Sequence, residues 1–256
     1  MLELPKQIDW GRWVERWDRM QERYLVARSE RFEHIVRLIE ATQGHVGRIM
    51  DLGCGTGSLL LRLLEAFPQA QVVGVDLDPT LLPLARWRCA DYGDRVRFVE
   101  ADLRLSTWPD ALPGSCQAAV SVTALHWLSQ EQLGRLYGQL AKVLTPGGVF
   151  LNADHVGSSC PDIQQAWEGR RQQMTASACA QGEDWASFWA AYLKELGDQA
   201  KSCREQALGP WEGIEEGLPL AWHMDALRSV GFACVDCFWR CDGDAIYGGL
   251  VHGDGR

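Results

Sequence analysis

Three aspartates recur along the first half of the chain, each after a short apolar run. They are Asp51, Asp76 and Asp102, and the intervals between them are 25 and 26 residues. Because each interval fits one strand–helix unit, the acids are expected at the carboxyl ends of parallel strands, where α/β sheets bind ligands. A carboxylate there accepts hydrogen bonds from ribose hydroxyls. The spacing therefore favours a nucleotide-like ligand, although such acids also cap helices, a task for which Asp78 is better placed than Asp76.

A glycine-rich loop follows the first of these acids, in the segment 51–57, Asp-Leu-Gly-Cys-Gly-Thr-Gly. Glycines allow positive φ angles and let a ligand approach the main chain closely. The helix that begins at Ser58 presents free N–H groups, which favour an anion such as a carboxylate. Ser58 stands where the dinucleotide fingerprint needs glycine, and the Gly-Lys-Ser/Thr of a P-loop is absent.

Histidines and a further aspartate stand near the ends of the last two parallel strands. His126 follows the fourth strand, and Asp154 and His155 end the fifth. An aspartate that orients a histidine is a common general base, so these three residues are candidates for catalysis. Neighbours on a strand face opposite ways, so Asp154 and His155 need not touch. The alternatives are a core histidine and a helix-capping aspartate; Asn152 with Asp154 gives too few oxygens for a metal, and none is expected.

Strand-like and helix-like runs alternate as far as residue 155, which predicts a parallel sheet with right-handed crossovers. Its five strands are predicted at 48–52, 71–75, 96–99, 116–122 and 149–153. Strands at 232–240 and 245–252 flank an Asp-Gly hairpin signal. The fold class is therefore α/β, a Rossmann-like seven-stranded sheet that ends in an antiparallel hairpin. Helices are predicted at 33–40, 58–67, after Pro79, at 130–144 and at 223–230.

Aromatic residues at helical spacing mark two further elements, an N-terminal helix and a helical insertion after the fifth strand. The chain is accordingly divided into a helical cap (1–44), the Rossmann-like core (45–155), an insertion that would cover a substrate (156–221) and a C-terminal helix with hairpin (222–256). Aromatic and histidine side chains of these parts could form a substrate wall or simply pack in a core. The candidates for substrate contact are Trp17, Tyr24, Trp127, Trp185, Trp189 and His223.

Five segments in this order resemble successive motifs of the class I S-adenosylmethionine (SAM) methyltransferases, of the small-molecule type. They are Asp51–Gly57, Gly74–Pro79, Ala101–Leu103, Ala124–Leu128 and Leu144–Gly148. The resemblance implies SAM as cofactor, with S-adenosylhomocysteine as product. It also implies cofactor contacts from Asp51, Gly53, Cys54, Gly55, Asp76, Leu77, Asp102, Leu103 and Thr123. In this interpretation Asp51 holds the amino-acid end, Asp76 the ribose and Asp102 the adenine amino group.

One segment departs from the pattern of many relatives. Ser121-Val122-Thr123 stands after the fourth strand, where those relatives carry an acid or Asn-Pro-Pro-Tyr. This departure argues against methylation of nucleobase or amide nitrogens by that route.

Composition narrows the class of protein further. A net charge of −9 over 256 residues makes nucleic acid an improbable partner, and no apolar run is long enough for a transmembrane helix. The N-terminal segment lacks the features of a signal peptide, and the nine cysteines are scattered, so a cytoplasmic protein with free thiols is expected. Cys234 and Cys237 are interpreted as structural strand residues rather than zinc ligands.

The sequence therefore predicts an enzyme that transfers a methyl group from SAM to a small molecule by direct displacement. The alternatives are a methyltransferase for RNA or protein, a non-methylating enzyme of the same fold such as a carboxy-SAM synthase, and a SAM-binding regulator. The acceptor and the oligomeric state are not predicted.

Overall fold

Residues 5, 7–25 and 27–253 are described in a computed structural model, without the side chains of residues 178, 179 and 181. The ends of the predicted N-terminal cap and of the C-terminal hairpin region, residues 1–4 and 254–256, lie outside this range. No helix within it is long and apolar enough to cross a membrane.

A mixed sheet of seven strands forms the centre of the molecule, in the order β3-β2-β1-β4-β5-β7-β6. Strands β1 to β5 are parallel, and β7 is antiparallel to both β5 and β6. The strands are β1 Arg48–Leu52, β2 Gln71–Asp76, β3 Val96–Glu100, β4 Cys116–Val122, β5 Leu144–His155, β6 Phe232–Cys241 and β7 Asp244–Val251. The predicted fold class is confirmed, and Asp242, in the left-handed region at φ 51°, makes the tight turn of the hairpin.

Helices cover both faces of the sheet and extend beyond its carboxyl edge. They are α1 Trp10–Tyr24, α2 Arg28–Thr42, α3 Ser58–Ala66, α4 Leu82–Arg88, α5 Gln130–Val143, α6 Pro161–Gln181, α7 Trp185–Leu196, α8 Asp198–Leu208 and α9 Leu220–Ser229. Because both faces of the parallel strands are buried, these strands are nearly continuous in apolar residues. In β1, Met50 and Leu52 pack towards α5, whereas Ile49 packs towards α2 and α3.

A third apolar cluster joins α1 to α7 above the carboxyl edge. Trp13 and Trp17 contact Phe188, with ring centroids 5.6 and 5.4 Å apart and near-perpendicular planes. Met20 is fully buried in the same cluster. The predicted aromatic stripes of the N-terminal helix and of the insertion therefore pack against each other, and we call this α1–α7 cluster the roof.

The fourth helix and the fifth strand differ from the sequence predictions. Pro79 was expected to open the helix, but it lies in a turn in which Asp78 accepts hydrogen bonds from the backbone N–H and hydroxyl of Thr80. Helix α4 begins only at Leu82, and it is Pro83 that occupies the first-turn position. Strand β5 pairs with β4 from Leu144 onward, five residues earlier than predicted, with a register shift beside Gln117.

Two glycines give opposite predictions for stability. In Gly248→Ala the added Cβ overlaps the carbonyl oxygen of Phe150 on the adjacent strand, so β5 and β7 must separate locally. Gly134 lies within α5 and has open space where a Cβ would stand, so Gly134→Ala should stabilise by about 0.5–1 kcal/mol. Thermal and urea unfolding should show a loss for the first and a gain for the second. Equal effects would contradict the described packing of β7.

Candidate active site

A cavity of about 790 Å³ opens at the carboxyl ends of the parallel strands. Its wall includes all the predicted cofactor contacts, namely Asp51, Gly53, Cys54, Gly55, Asp76, Leu77, Asp102, Leu103 and Thr123. It also includes five of the six predicted substrate contacts, Trp17, Tyr24, Trp127, Trp185 and Trp189. The volume lies in the upper part of the range of about 300–1,000 Å³ that is usual for small-molecule sites.

The glycine loop forms the floor of this cavity and is fixed to β2. Gly53 N–H donates to the carbonyl of Val75 at 2.8 Å, and Gly55 N–H donates to Oδ2 of Asp76 at 2.7 Å. Gly53 lies at φ +67°, and a Cβ there would overlap the Cβ of Ala124. Only glycine meets both constraints, so the loop brings bare backbone against the cavity.

Two acids lie beside the loop, Asp51 buried and Asp76 partly buried, and both have raised pKa values. Burial, together with the nearby charge of Asp76, raises the pKa of Asp51 to about 8. Burial also raises the pKa of Asp76 to about 6, against the lowering effect of the hydrogen bonds it accepts from Asp78 and Gly55. Oδ2 of Asp51 is buried and has no hydrogen-bond partner among the described residues. This arrangement is costly without a ligand and suits one that brings a positive charge or several donors.

Asp18 links helix α1 to the start of α3. Its carboxylate accepts hydrogen bonds from Arg88 at 2.8 Å, from Arg28 at 3.1 Å and from the Ser58 hydroxyl at 3.0 Å. Burial acts to raise the pKa of Asp18, but hydrogen bonding and charge from Arg88 and Arg28 outweigh it and lower the pKa. Two guanidinium groups on one carboxylate leave a positive charge near the N-terminus of α3. Arg28 lines the cavity, whereas Arg19 pairs with Glu15 on the exposed face.

Asp102 is already engaged by the residue two positions later. Arg104 donates from Nε to Oδ1 at 2.9 Å and from a terminal nitrogen to Oδ2 at 2.9 Å. The same guanidinium also donates to the carbonyl oxygens of Ala207 and Leu208 at the end of α8. The carboxylate at the third strand end thus anchors the insertion to the sheet as well as lining the cavity.

His126 and Asp154 form a close pair, although they belong to different strand ends. Nδ1 of His126 lies 2.7 Å from Oδ1 of Asp154, and the backbone N–H of His126 donates to Oδ2 at 3.1 Å. Thr123, in the left-handed region at φ 49°, turns the chain after β4 and so brings His126 back over β5. Burial acts to raise the pKa of Asp154, but the charge and hydrogen bond of His126 outweigh it, and the pKa is held well below its usual range.

His155 pairs with a different carboxylate, Asp244 at the start of β7. Its Nδ1 lies 2.9 Å from Oδ1 of Asp244, which also receives the buried Arg31 guanidinium at 3.1 Å. The two imidazole rings have centroids 4.9 Å apart, and both line the cavity. The three predicted catalytic residues are therefore brought together, but the histidine that Asp154 orients through its ring is His126 rather than its sequence neighbour.

His223, predicted as a substrate contact, lies outside the large cavity. It is buried on α9, and its Nδ1 lies 2.7 and 3.0 Å from the hydroxyls of Tyr137 and Tyr247. Burial lowers the pKa of His223 to about 4, so the ring is neutral at pH 7. It faces a second, small cavity that separates it from His126. Helix α9 places His223 on the face that packs in the core. The spacing in the sequence did not distinguish this face from one that lines the cavity.

The aromatic wall has two parts. The roof contributes Trp17, Trp185 and Trp189, whose rings contact one another. On the opposite side Trp127 meets Trp211, with ring centroids 4.1 Å apart and steeply inclined planes. Trp211 was not predicted, because it lies in the irregular segment after α8, where periodicity gives no signal.

Potential metal-ligand atoms of at least three residues come together at one place within the described part of the chain. His126, Asp154 and His155 each offer an atom within 4.8 Å of the others. The hydrogen bonds already described satisfy Asp154 and one nitrogen of each ring. The absence of a metal therefore stays a prediction.

Two further cavity residues and one partner of a cavity residue escaped the sequence analysis. Arg104 stands two positions after a predicted acid, which is a signal that could have been used. Arg204, which stacks on Trp189 at 3.7 Å and bonds Asp78 at 2.8 Å, and Asp244, the partner of His155, become visible only through tertiary contact.

The raised pKa of Asp51 predicts a pH-dependent gain in stability for Asp51→Asn. The folded protein keeps this proton up to about pH 8, whereas an unfolded aspartate releases it near pH 4. Between these values the folded state binds more protons, so the free energy of unfolding falls as pH rises. Asparagine cannot ionise, so the variant should melt at a higher temperature than the parent at pH 8, with a smaller difference at pH 5. The exposed Asp94→Asn is the control, and a variant that is destabilised at pH 8 would refute the assignment.

The part of the chain that carries the motifs is similar to known methyltransferases. Residues 49–148 match a family model described as a methyltransferase domain. A demethylmenaquinone methyltransferase of Thermus thermophilus is 40% identical over 101 residues, which cover 40% of this chain and 44% of that protein. A malonyl-[acyl-carrier protein] O-methyltransferase of Halorhodospira halophila is 32% identical over 154 residues, 59% of this chain and 50% of that protein. The chain spans about half the length of these curated relatives.

A solved structure shares the fold over almost the whole chain. Human N-acetylserotonin methyltransferase in complex with SAM superposes with a TM-score of 0.55 at 17% identity, covering 96% of this chain and 57% of that protein. The sheet order and the glycine loop agree with this likeness. Residues 49–148 thus match the methyltransferase-domain family, and the fold around them is shared with a SAM-bound methyltransferase.

Proposed function

We propose that this protein binds SAM in the large cavity and transfers its methyl group to a small-molecule acceptor by direct displacement. The observation that carries the proposal is the pair of acids, the buried Asp51 and the partly buried Asp76, beside a glycine loop that lines the cavity. The unpartnered Oδ2 of Asp51 needs a donor, and the α-ammonium of SAM is one. Asp76 has lone pairs left for ribose hydroxyls after its two backbone hydrogen bonds.

The other end groups of SAM find complementary residues along the same wall. The carboxylate suits the positive charge that Arg28 and Arg88 leave over after Asp18, close to the N-terminus of α3. Leu77 and Leu103 line the cavity on the side where the adenine would lie, and they offer apolar contact to its faces. Asp102, held in place by Arg104, would accept from the adenine amino group through a remaining lone pair.

For direct methyl transfer the protein mainly has to align the acceptor with the methyl group. Bound SAM supplies a methyl group already activated by the positive sulfur. The cavity wall positions the acceptor, and the roof of α1 and α7 excludes water from the reacting atoms. His126, oriented by Asp154, would accept a proton from an acceptor that must lose one, and His155 stands beside it.

A small acceptor is favoured over a macromolecule by the shape and charge of the site. The cavity has room for the cofactor and for one further small molecule, and the chain carries a net charge of −9. The names of the two curated relatives point to a quinone precursor and to a malonyl group on a carrier protein. The first name agrees with a small acceptor, whereas the second names a small group carried by a protein.

The raised pKa values predict that SAM binding releases protons. Asp51 is protonated below about pH 8 in the free protein, and an ammonium beside it favours the carboxylate. SAM affinity should therefore rise with pH between 6 and 8. Calorimetry in two buffers of different ionisation enthalpy should give different heats, and Asp51→Asn should weaken binding and abolish that difference. Identical heats in both buffers would contradict the placement of the ammonium.

Methyl-labelled SAM tests the reaction itself. The purified protein is incubated with labelled SAM and a cell extract separated into small-molecule, RNA and protein fractions. We expect label in the small-molecule fraction together with formation of S-adenosylhomocysteine. Asp76→Ala should lose both, because the ribose site and the anchor of Gly55 are removed together. Label that appears only in the RNA or protein fraction, or SAM binding without any transfer, would overturn the proposal.

A further inference from the structure

Two histidines, each with its own carboxylate, lie side by side on the cavity wall. In both rings Nδ1 bonds the carboxylate, so Nδ1 carries the hydrogen and Nε2 is left with a lone pair. Neither Nε2 is bonded to any residue within the described ranges. The site therefore offers two imidazole nitrogens without a bonding partner to whatever lies between the sulfonium and the aromatic wall.

The His126–Asp154 and His155–Asp244 pairs differ in the charges around their carboxylates. Asp154 is fully buried and has no Arg or Lys partner among the described residues, so its negative charge acts on His126. Asp244 shares its charge with the buried Arg31 guanidinium, which lies 3.1 Å from the same oxygen that His155 bonds. The whole charge of Asp154 thus faces His126, whereas the charge of Asp244 is shared between His155 and Arg31. His126 suits proton acceptance, and His155 suits a hydrogen bond that positions the acceptor.

The charges of the cavity wall argue against an anionic acceptor. Each arginine on the wall is paired with an aspartate, namely Arg28 with Asp18, Arg104 with Asp102 and Arg204 with Asp78. Among the described residues the wall has no lysine, and the surplus cation of the Asp18 network lies at the glycine-loop end. An anionic acceptor would meet no free positive charge beside the histidines, and its desolvation would stay uncompensated.

Aromatic side chains surround the remaining space. Trp127 and Trp211 form one wall, and Trp185 stands in the roof opposite. Planar rings gain about 0.5–1.5 kcal/mol from such contacts beyond their buried area. Glu215, the acid at this end of the wall, is exposed, so a buried ammonium would find no fixed partner there.

We propose that the acceptor is an uncharged aromatic hydroxyl compound, with His126 as the general base and His155 as a hydrogen-bonding positioning residue. This inference rests on the proposed transferase function and adds the class of acceptor. The pKa of a phenolic hydroxyl is near 10. It lies closer to the pKa of an imidazole than the pKa of an aliphatic alcohol does, so an imidazole is a suitable base for a phenol.

The step balances without a further reactant. The acceptor oxygen forms a bond to the methyl carbon while the carbon–sulfur bond breaks, and the bond pair stays on sulfur as S-adenosylhomocysteine. The hydroxyl proton passes to Nε2 of His126 and then to solvent. The neutral ether leaves the aromatic wall.

Binding to the protein loaded with S-adenosylhomocysteine tests the acceptor class without turnover. Calorimetry compares 2-naphthol with 2-naphthoate and 2-naphthylmethylamine, which share the ring and differ in charge. We expect naphthol to bind at least tenfold more tightly than either. Equal or tighter binding of the acid or amine, or binding of none of the three, would overturn the acceptor class. Failure of S-adenosylhomocysteine itself to bind would instead overturn the proposed function.

Turnover separates the roles of the two histidines. His126→Ala should lower kcat for 2-naphthol by about 10²–10⁴-fold, but far less for 4-nitrophenol at pH 9, where the hydroxyl is already ionised. His155→Ala should mainly raise KM, and the exposed His45→Ala should match the parent. Equal losses for both phenols in His126→Ala, a kcat loss in His155→Ala as large as that in His126→Ala, or naphthol that binds without being methylated would contradict the proposal.

Discussion

Two hydrogen bonds accepted by Asp76 fix the geometry on which the rest of the site depends. One oxygen holds the backbone N–H of Gly55 and the other that of Asp78, so a single carboxylate ties the glycine loop to the turn after β2. The loop then lies flat under the cavity, and α3 begins directly beside it. Because Asp51 lies near the end of the neighbouring strand, the same arrangement places a buried carboxylate close by, and the charge of Asp76 adds to burial in raising the pKa of Asp51.

Carboxylates held close together are costly unless cations balance them, and this explains the distribution of charge around the cavity. Acids concentrate at the strand ends, and three arginines pair with Asp18, Asp102 and Asp78 around the cavity. Two of these arginines also tie outer elements to the core, since Arg104 reaches the end of α8 and Arg204 joins α8 to the turn after β2. The proposed cofactor site and its cover are thus coupled through ion pairs, whereas the proposed acceptor region is lined by imidazoles and indoles.

The central sheet could be predicted from sequence because its signals are local. Strands β1 and β4 have the predicted bounds, since apolar runs flanked by Gly, Asp or Pro give clear ends. Helix α4 was placed too early, because Pro79 is as acceptable in a turn as in a first helical turn, and the Asp78–Thr80 bonds decide between them. The Rossmann periodicity likewise placed the cavity-lining acids. It could not pair His126 with Asp154, or His155 with Asp244, because those partners come from different strands.

The placement of the cofactor is tested most directly by a crystal structure of the protein with S-adenosylhomocysteine. We predict that the amino group lies within hydrogen-bond distance of the Asp51 carboxylate, with the ribose hydroxyls on Asp76 and the sulfur facing His126. The Gly53–Gly55 backbone should contact the ligand directly. A ligand bound elsewhere, or bound here in the reverse direction with its amino group away from Asp51, would contradict the account.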